Sequence, residues 1–182
     1  MWTRLDFGRH FGKTLPQVIF SDPGWVFWAC ANGCFESRRL LEEAEQVDYR
    51  ARHVRVSGND TGRMVLYTTD AGKFAGITLV LPTIVAECGS AAFLCNHFDL
   101  SFPSRLAKYD KLGEKLMIRG LKECLFHNPT LKMSEARATA FFDDDSNFCL
   151  QEDCPACSLA TATGIECERA CRMPPLVRRS SL

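Results

Sequence analysis

The chain contains no apolar run near the ~20 residues that a membrane-spanning helix requires, and its N-terminus, MWTRLDFGRH, has no apolar core of a secretion signal. A cytoplasmic protein with no membrane partner is the expectation. Net charge is also missing: Lys plus Arg and Asp plus Glu each number 22. A chain so balanced is no polycation, and any contact with DNA or RNA falls to local patches. A disulfide scaffold is excluded on the same expectation, although there are ten cysteines, because the cytoplasm keeps thiols reduced. What is present is 182 residues, 46% of them hydrophobic, which is enough to bury a real core.

The most informative stretch is FGRHFGKTLPQVIFSDPGWVFW, residues 7–28. Gly8 and Gly12 permit positive φ or close backbone approach, and Arg9, His10 and Lys13 surround them with donors. Asp22 is a good N-cap with Pro23 at the first helical position, so Trp25, Val26, Phe27 and Trp28 enter a short helix ending near Gly33. Both tryptophans are expected to pack that helix, leaving Arg9 and Lys13 exposed to meet phosphates. The segment Gly8-x-x-x-Gly12-Lys13-Thr14 is one residue short of the phosphate-cradling loop of nucleotide hydrolases. It also lacks a buried strand before it, and Pro16 and Pro23 preclude a long helix after it.

Phe7, Gly8, Gly12, Lys13, Leu15 and Trp28 fit the pattern FGK-x-x-GK-x-L, then a proline and an aromatic helix. In this the segment resembles the short module found after the nuclease domain of exodeoxyribonuclease X-like proteins, and a family of small proteins described as quorum-sensing-regulated virulence factors. Arg9 stands where the first lysine is usual, and Val26-Phe27 replaces a tyrosine-leucine pair. The resemblance implies work on nucleic acid but carries no catalysis, because the acidic metal-binding residues of those exonucleases lie upstream of the module.

Beyond it, Phe35 to Arg50 has helical composition, with Leu40, Leu41 and Ala44 as an apolar stripe and Glu42, Glu43 and Glu45 as a wet face. Residues 52–56, 64–69 and 74–81 are β-branched and aromatic, and are separated by turn formers, as in an antiparallel meander. Residues 91–102 supply a fourth strand. A helix from Pro103-Ser104 to about Phe126 then presents Leu106, Tyr109, Leu112, Leu116, Met117, Leu121 and Leu125 near one face. Gly113 and Gly120 within it each cost about 1 kcal/mol relative to alanine and point to close packing of another element. Lys108, Lys111, Lys115, Arg119 and Lys122 recur every three or four residues as an exposed basic stripe. Charge is segregated: residues 101–140 hold eight Lys/Arg against four Asp/Glu, and residues 141–157 hold five acids and no base.

A last helix is capped by Ser134 and buries Phe141 and Phe142. Asp143, Asp144 and Asp145 at its end either pair with cations or hold a divalent metal, but adjacent helical side chains diverge by about 100° and do not converge on one ion. Cys154-x2-Cys157 and Cys167-x3-Cys171 have the spacing of a four-thiolate zinc site, with Cys149 as an alternative ligand. An iron–sulfur cluster and metal-free thiols are the alternatives. Cys30, Cys34, Cys88, Cys95 and Cys124 read as small core hydrophobes. Cys95 and His97, two apart on a strand, share a face without the approach that a nucleophile pair requires, and no third group is identifiable. His53 and His127 have no partners legible in the sequence.

The expected fold is α+β: a helical module over 1–50, an α+β core over 51–147 with a central meander and two packed helices, a cysteine-rich metal-binding module over 148–175, and a tail over 176–182. The expected function is a non-catalytic nucleic-acid-binding or nucleic-acid-processing accessory protein, of the kind that phage and other mobile-element genomes encode. Its candidate contacts to DNA or RNA are Arg9, His10, Lys13, Lys108, Lys111, Lys115 and Arg119. The alternatives are a protein-interaction inhibitor of a host nuclease or defence complex, anti-CRISPR-like in kind, and a metal-dependent nuclease.

Overall fold

Five of the six described α-helices begin where a proline or a capping side chain fixes the first turn. Pro16 does so for α1 (Leu15–Ile19) and Pro23 for α2 (Pro23–Ala31). Further on, Pro103 does so for α4 (Phe102–Leu106). The Asp110 side chain accepts from the Gly113 amide at 2.9 Å to open α5 (Lys111–Phe126), and Ser134 accepts from the Arg137 amide at 3.4 Å to open α6 (Glu135–Asp143). Between α2 and the strands lies α3 (Leu41–Arg52), which starts later than its composition suggests. Leu40, Ala44, Val47 and Ala51 form its buried face, and Leu41 points to solvent. The computed structural model describes residues 1–36, 40–56, 60, 62–83 and 92–149. Cys88, Cys154, Cys157, Cys167 and Cys171 lie outside the described residues.

The strands are β1 (Val54–Arg55), β2 (Met64–Asp70), β3 (Lys73–Val80), β4 (Ala92–Cys95) and β5 (His97–Phe98). All pair antiparallel. β2 and β3 form a hairpin closed by Ala71 and Gly72, both at positive φ, which is the backbone a two-residue turn between right-twisted strands demands. The three-stranded sheet has the order β3-β2-β4, so its third strand comes from residues 92–95 and not from residues 52–56. β1 instead pairs β5 in a two-stranded sheet, and Phe148 bridges to Val54. Val65, Tyr67 and Phe74 are the buried members of the hairpin.

The single helix expected after residue 103 is two helices. α4 ends at the extended Ala107, and Tyr109 then adopts φ 60°, a left-handed conformation just before the Asp110 cap of α5. The break changes the buried face: Gly113, Glu114, Met117, Ile118 and Leu121 pack inward, and Tyr109 and Leu112 are 76% and 68% exposed. Gly120 bears out the close-packing expectation, since a Cβ there would stand 3.3 Å from Ile77 of β3. Gly113 has a different reason, because a Cβ would run into the capping Asp110 carboxylate.

Residues Met1–Cys149 form one unit, into which the N-terminal module is built. α1 packs on α2, α3 and α6, and Phe20 meets Phe141 and Phe142 edge-on at 5.4 and 6.0 Å. Phe148 closes this aromatic group, with Phe142 at 5.4 Å. Edge-to-face pairs of this kind contribute about 0.5–1.5 kcal/mol beyond their burial. The three aspartates after Phe142 are each committed: Asp143 accepts from the Trp2 indole at 2.7 Å, Asp144 holds Ser146, and Asp145 pairs with Arg50. They do not converge on an ion.

Candidate nucleic-acid interface

The loop after Leu5 is a small closed turn. The Leu5 amide donates to the Lys13 carbonyl and the Gly12 amide to the Leu5 carbonyl, both at 2.8 Å. Gly8 and Gly12 take φ 67° and 80°, as their sequence context predicts. This fold-back carries Arg9, His10, Phe11 and Lys13. The Trp25 ring supports it from α2, touching Phe7, His10 and Phe35. Trp28, expected to pack, is 46% exposed.

Asp22 organises the site. Its place before Pro23 reads as an N-cap, yet its side chain makes no capping bond. One carboxylate oxygen takes Arg9 and, at 2.7 Å, His10 Nε2, and the other accepts from Lys111 Nζ at 3.1 Å. Lys111 also donates to Glu114 at 2.8 Å. Glu114 is buried against the first turn of α2, where a Cβ on Gly24 would fall 1.9 Å from Glu114 Oε1. Glycine at that place admits a carboxylate to a helix N-terminus, whose dipole favours negative charge. Burial alone would raise the Asp22 pKa, but bonds from Lys111 and His10 and the charges of Lys111 and Arg9 outweigh it and hold the group below the ordinary carboxylate value. His10 is shifted downwards, first by burial, with Asp22 opposing and Arg9 and Lys13 assisting.

The residues singled out from the sequence thus divide. Arg9 and Lys111 remain about half exposed, at 53% and 48% of their side chains, but share the Asp22 charge. His10 is buried, with its Nε2 2.7 Å from Asp22. Lys13, Lys108, Lys115 and Arg119 are not buried. Among the described residues none of these four has an ion pair. Lys108 lies in the break before α5, next to Tyr109, and Lys122 is half-buried, which lowers its pKa. Two basic segments about a hundred residues apart in the chain therefore meet at one carboxylate.

No protein-family model, curated protein or solved structure matches the chain.

The cysteines and histidines give a second cluster. Contrary to the strand argument, a bend at Asn96 between β4 and β5 brings Cys95 Sγ to 3.4 and 3.5 Å from the two His97 ring nitrogens. A third group exists as well, since Asn96 Oδ1 lies 2.7 Å from His97 Nδ1. With near-equal distances to both nitrogens, the sulfur lies off the line of either ring lone pair. Cys95 and His97 are both buried. The ring stacks on His53, which in turn stacks on Tyr49. Burial, with His53 and Arg105 adding to it against Asp99, brings the His97 pKa down to about 4. Burial pushes Cys30 up to about 12 and Cys124 up to about 11, as inert packed thiols require. The Cys149 amide donates to the His53 carbonyl at 2.8 Å and the residue is buried. Among the described residues no group of three His, Cys, Asp or Glu side chains converges to hold a metal. His127 ends α5 in a left-handed cap.

Proposed function

We propose that this protein is a non-catalytic nucleic-acid-binding or nucleic-acid-processing accessory protein, working through the surface made by the loop at Arg9–Lys13 and the start of α5. The observation that carries the reading is Asp22, which ties Arg9 and Lys111 together and so joins two separate basic segments into one face. Lys13, Lys108, Lys115 and Arg119 give that face its surplus positive charge, in a chain whose total is zero. Resemblance of the loop to the FGK-type module supports the same class of ligand.

Asp22→Asn tests it. The change keeps the shape and removes the charge that restrains Arg9 and Lys111. Stability is expected to fall by about 2 kcal/mol, as a partly buried ion cluster loses its anion. Affinity for a labelled oligonucleotide at low salt is expected to rise, because Arg9 is released to meet phosphates and Lys111 keeps only Glu114 as its partner. Calorimetry and fluorescence anisotropy read the two effects. An oligonucleotide affinity that drops in the folded variant would count against the reading.

A second reading, a protein-interaction inhibitor of a host nuclease or defence complex, draws on an apolar groove of about 400 Å³ lined by Leu125, Phe126, Leu131, Met133, Ala140 and Phe141. Co-purification with one protein and no nucleic-acid affinity favours it. A metal-dependent nuclease would draw on carboxylates other than Asp143, Asp144 and Asp145, each of which has a separate structural partner.

For the tail, the proposal is that Cys154, Cys157, Cys167 and Cys171 hold zinc. Stoichiometric zinc is expected in the purified protein by mass spectrometry, and Cys154→Ser with Cys157→Ser is expected to abolish it. Metal-free native protein contradicts this, and iron with visible absorption assigns the iron–sulfur alternative.

A further inference from the structure

Two large aromatic side chains that neighbour the Asp22 junction in the chain are left largely exposed. Phe11 occupies the tip of the closed loop between the two positive-φ glycines and is 73% exposed. Tyr109 precedes the Asp110 cap at φ 60°, a conformation that costs an L residue roughly 1–2 kcal/mol and that glycine adopts without penalty. The penalty is not recovered by burial, since Tyr109 is 76% exposed. Each ring belongs to one half of the Asp22 junction: Phe11 comes directly after His10, and Tyr109 lies two residues before Lys111, whose amide donates to the Tyr109 carbonyl at 2.8 Å. Lys13 and Lys108 sit beside them in the chain, and neither is buried.

Exposed aromatic rings set among cations are poorly suited to a duplex, whose bases are already stacked on one another. They suit an unpaired strand, whose free base faces each gain about 1–3 kcal/mol from an aromatic platform while the phosphates track the basic groove. We propose that the surface takes single-stranded nucleic acid, with bases stacking on Phe11 and Tyr109 and phosphates meeting Lys13, Lys108 and the exposed cations of α5. This rests on the proposed function and sharpens it to a ligand class. It also gives the strained Tyr109 a purpose: the left-handed backbone holds an exposed ring just before the start of α5.

The experiment is fluorescence anisotropy of the full chain with labelled oligo-dT, oligo-rU and a mixed-sequence duplex at low salt. The parent is expected to prefer the single strands. Phe11→Ala and Tyr109→Gly are each expected to weaken single-strand binding by about fivefold or more and to collapse the preference over duplex. Phe11→Leu, which keeps apolar area but not the ring, is expected to behave like Phe11→Ala. Tyr109→Gly also relieves the positive φ, so its thermal midpoint is expected to hold or rise, which separates lost stacking from lost folding. If the aromatic variants bind single strands as the parent does while cation variants lose binding, stacking is overturned and the basic-face reading stands. If Phe11→Leu restores binding, the contact is generic apolar docking, as for a protein partner, and the inference fails. A parent that binds no nucleic acid removes both.

Discussion

Replacing Arg9, Lys13, Lys115 and Arg119 together by alanine is expected to weaken oligonucleotide binding by roughly a thousandfold at about 0.1 M salt. Each phosphate contact on a single strand contributes about 0.7 to the slope of log affinity against log salt, so losing four flattens that slope by nearly three. The loss is expected to be uniform across sequences, because phosphate contacts position a ligand without reading its bases. Stability should change little, since Lys13, Lys115 and Arg119 have no ion pairs among the described residues. Arg9 is the exception, and its removal costs a share of the Asp22 cluster. Anisotropy over a salt series, with calorimetry on the same variant, separates the effects. An unchanged slope would place the binding elsewhere.

The second large effect concerns acid. His97 has an ordinary pKa of 6.5 and about 4 in the fold. As pH falls below 6.5 the unfolded chain takes up this proton first, and the folded chain does so only near 4. Stability contributed by the neutral, buried ring is therefore present above 6.5 and lost as pH falls towards 4, by about 3 kcal/mol in all. Of the groups acting on the ring, His53, Cys95, Asn96, Asp99 and Arg105, only Asp99 is an anion, and, paired with Arg105, it is outweighed by burial and does not reverse that sign. His97→Gln removes the titration. Urea unfolding at pH 7.5 and 4.5 is expected to show the parent losing more stability than the variant by most of this amount. Equal losses would mean that the imidazole is protonated in the fold or accessible to water.

Local signals in this chain were legible and distant ones were not. Pro23 after Asp22, Ser134 before α6, and the Ala71-Gly72 turn act within a few residues, and the elements they start or close lie where the sequence places them. The α+β class rests on the same patterns. The pairing of β1 with β5 was hidden, since its contacts span about forty residues and Arg52, rich in strand-like neighbours, ends a helix instead. Tyr109 concealed the break between α4 and α5, because a bulky residue gives no cue for positive φ. Asp22 is the instructive case: its local pattern is that of a cap, yet the decisive partner, Lys111, is 89 positions away. Gly24 was the one available clue, a glycine in a first helical turn with no turn to make, kept open for Glu114. The Cys95–His97 approach likewise depends on a bend at Asn96 that alternation along a strand does not foresee.

The central claim is that the loop at residues 8–13 and the start of α5 act as one nucleic-acid-binding face. Titrating a short oligo-dT into isotopically labelled protein while monitoring backbone amide shifts tests it most directly. The account predicts that amides of Gly8–Lys13 and of Lys108–Arg119 shift together with one midpoint, and that this midpoint moves to higher ligand concentration as salt is added. Shifts confined to one of the two segments, or none in either at low salt, would contradict it.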